Sequence, residues 1–111
     1  MTPEAATIPF DQLLDLAASG NIDLFQLISN AEKLIAANDR LGAITLYRAW
    51  LKKPKEGMEY AAYFNLGVLL SDTGSQSESE AAYRQAAFLK KEFPQAQYNL
   101  GVQLELSLIH I

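Results

Sequence analysis

Two asparagines that lie 34 positions apart, Asn65 and Asn99, are the side chains of this sequence best suited to hold another molecule. Each follows an aromatic residue, Phe64 or Tyr98, and each precedes the same Leu-Gly-Val sequence. A carboxamide has both a donor and an acceptor, so it can pair with the N–H and the C=O of one residue in an extended peptide. The same side chains could instead cap turns or tie neighbouring helices together. The residues alone leave both interpretations open.

The side chains that catalysis usually needs are scarce. The chain has no cysteine, and its single histidine, His110, lies next to the last residue. Glu78 and Glu80 are two positions apart, so on a helix they would not share a face and would not hold a metal ion or exchange a proton together. We therefore expect no catalytic residue, no metal and no cofactor within this chain.

The composition narrows the class of partner. The 111 residues are 50% hydrophobic and 20% charged, which is ordinary for one globular domain. The net charge is -4, whereas binding to nucleic acid or to an anionic membrane needs an excess of basic residues. No signal peptide and no apolar run of roughly 18 to 20 residues is visible in the sequence. We expect a cytoplasmic protein whose partner is a protein or a peptide, with no nucleic acid and no membrane.

The spacing of apolar residues predicts an all-α chain of about six helices. They are expected from Pro9 to about Ser19, from a cap at Asn21 to about Asn38, from about Arg40 to Lys53, from about Glu56 to Thr73, from a capping box of Ser77 and Glu80 to about Phe93, and from about Gln95 onwards. Gly20, Asn38 and Gly74 suit the left-handed conformation that often ends a helix.

Gly67 falls inside the fourth predicted helix, where glycine costs about 1 kcal/mol relative to alanine. Because Gly101 repeats it 34 positions later, we expect two helices to approach too closely there for a side chain. The fifth helix is expected to bury a stripe of apolar residues, which are Ala82, Ala86, Leu89 and Phe93.

A period of 34 residues with this pattern resembles the tetratricopeptide repeat. The residues that carry the resemblance are Tyr63, Leu66, Gly67, Leu70, Tyr83 and Ala86. Ser79 stands where that family usually has alanine, and Pro94 comes late. A weaker earlier copy has Ala31 at the glycine position, and Ala43, Tyr47 and Trp50 on its second helix. The resemblance implies a right-handed solenoid of helix pairs that stack on one another.

Three segments are similar in sequence to the N-terminal repeats of bacterial SPINDLY-type O-linked N-acetylglucosamine transferases. They are Leu46 to Leu51, Phe64 to Leu70 and Glu80 to Ala86. In that family an asparagine of each repeat lines an inner groove and grips the peptide, and Asn65 and Asn99 occupy that position. Ser29 or Asn30 is the counterpart in the first repeat. The resemblance implies a peptide-binding groove lined by Phe64, Asn65, Val68, Ser71, Asp72, Tyr98, Asn99 and Val102.

The expected organisation follows the repeats. It comprises a cap helix at 1–20, a degenerate repeat at 21–55, a second repeat at 56–94, the first helix of a truncated repeat at 95–105 and a non-native tail at 106–111. The tail is suspected because one set of codons that would encode its six residues resembles a transposase end sequence used in preparing sequencing libraries. On this view the chain is a fragment, and the catalytic domain of its parent would lie beyond Glu105.

Together these patterns favour a module that recruits extended protein segments and does not itself react. The preferred parent is a SPINDLY-like glycosyltransferase. A free-standing adaptor and a homo-oligomerisation module are the alternatives.

Overall fold

In a computed structural model of the chain, residues 8–53 and 58–89 are described, and all of their regular structure is helical. The helices are α1 (Phe10–Ala18), α2 (Leu24–Ala36), α3 (Arg40–Trp50), α4 (Glu59–Asp72) and α5 (Gln76–Leu89). The predicted all-α class is therefore confirmed for this part of the chain. The sixth predicted helix, from Gln95, lies outside the described residues.

The helices divide into two compact units, with α1, α2 and α3 in the first and α4 and α5 in the second. In the first unit α3 packs against both α1 and α2. Most of α3 is accordingly buried, and its last residue, Trp50, is 1% exposed. The Trp50 indole N–H donates to the carbonyl of Ile22 over 2.9 Å. This bond satisfies a buried donor and ties the end of α3 to the connection between α1 and α2.

The start of α2 corrects one prediction. Asp23, not Asn21, caps the helix: the Gln26 N–H donates to Asp23 Oδ1 over 2.8 Å, and the Asp23 N–H donates to Gln26 Oε1 over 2.9 Å. This reciprocal capping box satisfies two donors at once, which a lone asparagine could not do. The Asn21 amide instead donates to the hydroxyl of Ser19.

The left-handed residues are where the sequence predicts them. Gly20, Asn38 and Gly74 have φ values of 81°, 66° and 86°, and they follow α1, α2 and α4. Asp39 then caps α3 by accepting from the Gly42 N–H over 2.9 Å. Short connections of this kind fix where each helix must stop.

Several predicted boundaries are wrong by a few residues. Pro9 occupies the cap position before α1 rather than its first turn. The helix α3 ends at Trp50 and not at Lys53; Leu51 is its C-cap, and the next N–H, that of Lys52, bonds to the Ala49 carbonyl three residues back instead of four. Met58 precedes α4, so that helix starts after the predicted Glu56.

The helix α5 also departs from its prediction. It begins at Gln76, which places Ser77 inside the helix, and Glu80 pairs with Arg84 at 2.7 Å instead of closing a capping box. Ala82 and Ala86 are buried as expected, but Leu89 is 44% exposed. The predicted end at Phe93 lies outside the described residues.

No helix in the described part of the chain has the length and apolar character needed to cross a lipid bilayer.

Replacing Asp23 by alanine should lower the free energy of unfolding by about 1 kcal/mol, because the Gln26 N–H loses its acceptor, Asp23 Oδ1, at the start of α2. The matched variant Asn21→Ala should change it by less than about 0.5 kcal/mol, because this exposed side chain caps nothing. Urea unfolding followed by the fluorescence of Trp50, the single tryptophan, measures both. A larger loss in Asn21→Ala would contradict the assignment of the cap.

Candidate functional site

The second unit is a pair of helices whose contact centres on Gly67. A Cβ atom added to Gly67 would lie 2.6 Å from Cε1 and 2.7 Å from Cδ1 of Tyr83. Tyr83 itself is buried, as are Leu66 and Leu70 of α4. The predicted close approach at Gly67 is therefore confirmed, and the group that fills the space is an aromatic ring.

Ser79 adds a polar bond to the same contact. Its hydroxyl donates to the carbonyl of Gly67 over 2.8 Å, and the side chain is completely buried. Serine at this position departs from the alanine of the repeat it resembles, and the repeat pattern alone indicates no role for it. The signal was its position, because Ser79, Ala82, Tyr83 and Ala86 share one stripe of α5 and a polar residue in a buried stripe needs a partner.

The packing of α4 against α5 determines which side of α4 faces outward. Leu66, Leu69 and Leu70 point into the unit and are buried. At 100° per residue the side away from Leu66 and Leu69 carries Ala61 and five further residues, which we call the α4 face: Phe64, Asn65, Val68, Ser71 and Asp72. The structure thus places the five predicted site residues of this helix together. Tyr98, Asn99 and Val102 lie outside the described residues.

The α4 face is apolar at one edge and polar at the other. Phe64 is half-buried, and its ring centroid lies 5.8 Å from that of Tyr83 with a tilt of 48°. Val68, at the centre, is 36% exposed. An aromatic pair of this geometry contributes about 0.5–1.5 kcal/mol beyond area burial. Phe64 therefore supports the fold while still forming part of the outward surface.

Asn65 and Asp72 form the polar edge. Asn65 is half-buried, and within the described part of the chain its carboxamide has no hydrogen bond. Asp72 is exposed and is the last residue of α4. Ser71, half-buried, already has an interaction within the chain. With respect to the described residues, Asn65 is thus the residue of this face whose donor and acceptor are both available to a ligand.

The counterpart in α2 differs. The Asn30 amide donates to the carbonyl of Gln26 over 2.8 Å, within its own helix. One of its two amide hydrogens is therefore used locally. Ser29, the other candidate, is half-buried. Neither presents a carboxamide in the manner of Asn65.

Comparison with protein-family models gives no match, and neither do comparisons with curated proteins and with solved structures. Among the described residues, no group of three or more histidine, cysteine, aspartate or glutamate side chains could hold a metal ion. The function must therefore be argued from the α4 face itself.

Replacing Gly67 by alanine should destabilise the protein by about 1–3 kcal/mol, because the new Cβ overlaps the ring of Tyr83. Helix propensity alone predicts the opposite sign, a gain of about 1 kcal/mol. Asn65→Ala is the matched control, since it raises helix propensity in the same helix without adding an atom toward α5. Thermal and urea unfolding monitored by circular dichroism distinguish the two. A Gly67→Ala variant more stable than the parent would show that the contact is not tight.

Proposed function

We propose that the chain forms a right-handed solenoid of tetratricopeptide helix pairs that binds extended peptide segments on the α4 face. The observation that carries the proposal is the combination, on one outward surface, of the carboxamide of Asn65 with the apolar side chains of Phe64 and Val68. A solvent-exposed helix normally has one polar side, whereas α4 carries apolar residues on both. Apolar side chains on the outward side favour a surface that another chain covers.

The repeat pattern supports the same proposal. Asn65 and Asn99 recur with a period of 34 residues, which is close to the length of one helix pair. Carboxamides spaced by one repeat could pair with successive residues of an extended peptide. Such a row of carboxamides binds the peptide backbone, and the residues next to the asparagines select among peptide side chains.

In the fuller form of the proposal, this module recruits protein substrates for a SPINDLY-like glycosyltransferase that uses a nucleotide-sugar donor. The chain itself contributes no catalytic group and needs no cofactor. A free-standing adaptor would bind peptides in the same way without a downstream enzyme. Sequencing the gene beyond the codon of Glu105 separates these two parents, because only the first predicts a glycosyltransferase domain.

Asn65→Ala should weaken the binding of an extended peptide by about tenfold, since the loss of a donor and an acceptor removes up to two hydrogen bonds of about 1 kcal/mol each. The probe is a fluorescein-labelled peptide selected from a display library panned on the full chain, and anisotropy gives the dissociation constant. Gln85→Ala, which removes an exposed carboxamide of α5, is the matched control. The double variant with Asn99→Ala should bind still more weakly.

Backbone recognition has its own test with the same probe. Methylating the peptide nitrogen opposite Asn65 should reduce the effect of Asn65→Ala, because the peptide N–H that donates to the carboxamide oxygen is gone, while the bond from the carboxamide N–H to the peptide carbonyl can remain. If every singly N-methylated peptide remained as sensitive to Asn65→Ala as the parent peptide, Asn65 would not be reading the backbone. Unfolding of Asn65→Ala would instead assign this residue a structural role.

A further inference from the structure

The first unit contains a groove between α1 and α3 that the proposed function does not use. Its volume is about 450 Å³, within the range of sites that hold small ligands or parts of peptides. The floor is formed by Leu14, Ala18 and Ala49, which are apolar and mostly small. The rim carries Asp15 on the α1 side, and Thr45, Arg48 and Lys52 on the α3 side. We call this the α1–α3 groove.

The charge of its α3 wall differs from that of the rest of the protein. All charged residues of 40–53 are basic, although the whole chain has a net charge of -4. Arg48 and Lys52 lie four positions apart and are both exposed, so they can lie on one side of the groove. Arg48 already has an interaction within the chain, but its guanidinium has five donors and can serve a second partner.

An apolar contact point lies further along the same side of α3. Leu41 is 72% exposed and precedes Thr45 by one helical turn. The Thr45 hydroxyl donates to the carbonyl of Leu41 over 2.9 Å, so its hydrogen is directed to the helix and its methyl group is left for apolar contact. The outward surface therefore runs from an apolar end at Leu41 to a cationic end at Lys52.

We propose that the α1–α3 groove binds an acidic peptide segment of a partner protein in which carboxylates alternate with apolar side chains. The carboxylates pair with Lys52 and Arg48, and the apolar side chains enter the floor formed by Ala18 and Ala49. The basic side chains of the groove attract an anionic partner, although the negative net charge of the whole chain repels anions. Asp15 on the opposite rim repels a continuous row of phosphates but leaves room for spaced carboxylates.

The test uses the full chain and a labelled peptide of alternating glutamate and leucine. Matched peptides carry glutamine or lysine in place of glutamate, and anisotropy at low and high salt reports affinity. The glutamate peptide should bind most tightly, and salt should weaken its binding. Equal binding of the glutamine or lysine peptide would overturn the proposal, because the groove would then select no charge.

Two variants locate the site. Lys52→Glu should weaken binding of the glutamate peptide by about fivefold, the effect of one exposed charge contact. Lys33→Glu makes the same change of net charge on an exposed residue of α2, outside the groove, and should leave affinity within about twofold. Equal losses in both variants would show that only net charge matters and would overturn the proposal.

A third variant separates shape from charge. Ala18→Leu fills the floor without altering any charge and should also weaken binding, provided circular dichroism confirms the helical content of the parent. Asn65→Ala should have no effect, since Asn65 does not line the groove. If no peptide bound, and Lys52→Glu weakened binding to vesicles of phosphatidylserine and phosphatidylcholine, the groove would be assigned to a membrane surface. A Lys52-dependent dimer in sedimentation, again without peptide binding, would assign it to a second copy of the chain; either result overturns the proposal.

Discussion

The absence of a side chain at Gly67 is the constraint on which the second unit depends. Glycine costs about 1 kcal/mol inside a helix, whereas burying an aromatic ring such as that of Tyr83 contributes about 1.5–3 kcal/mol. Burial is the larger effect, so α4 lies against the ring, and the Ser79 hydroxyl bonds the same backbone at Gly67. Once this contact forms, the rotation of α4 is fixed. Asn65 and Val68 must then face outward, which is why the candidate site is a consequence of packing.

Features with a local cause could be predicted from the sequence. The left-handed positions at Asn38 and Gly74 follow from the residue types that tolerate positive φ. The apolar spacing predicted the five described helices, and an interior glycine predicted the close approach at Gly67. The grouping of Asn65, Val68 and Asp72 on one side of α4 needs only the helical period. Whether Asn99 extends this surface stays a prediction.

Features that depend on distant partners could not be predicted. The bond from the Trp50 indole to the Ile22 carbonyl joins residues 28 positions apart, and no local pattern indicates it. The ring of Phe64 was expected to line a groove, but how far it packs on Tyr83 depends on the rotation of α5. The cap of α2 was missed for a different reason: Asn21 and Asp23 are both good caps, and the Gln26 side chain, which accepts from the Asp23 N–H, decides between them. The α1–α3 groove likewise requires two helices that are far apart in sequence.

The proposed function requires that an extended peptide lies on the α4 face, against Asn65. The most direct measurement is the nuclear magnetic resonance signal of the Asn65 side-chain amide, assigned by its disappearance in Asn65→Ala, during titration with a peptide that carries a nitroxide spin label. Because the label broadens signals only at short range, the account predicts loss of the Asn65 amide signal while that of Gln85 on α5 persists. A saturated complex in which the Asn65 signal keeps its width for every position of the label along the peptide would contradict it.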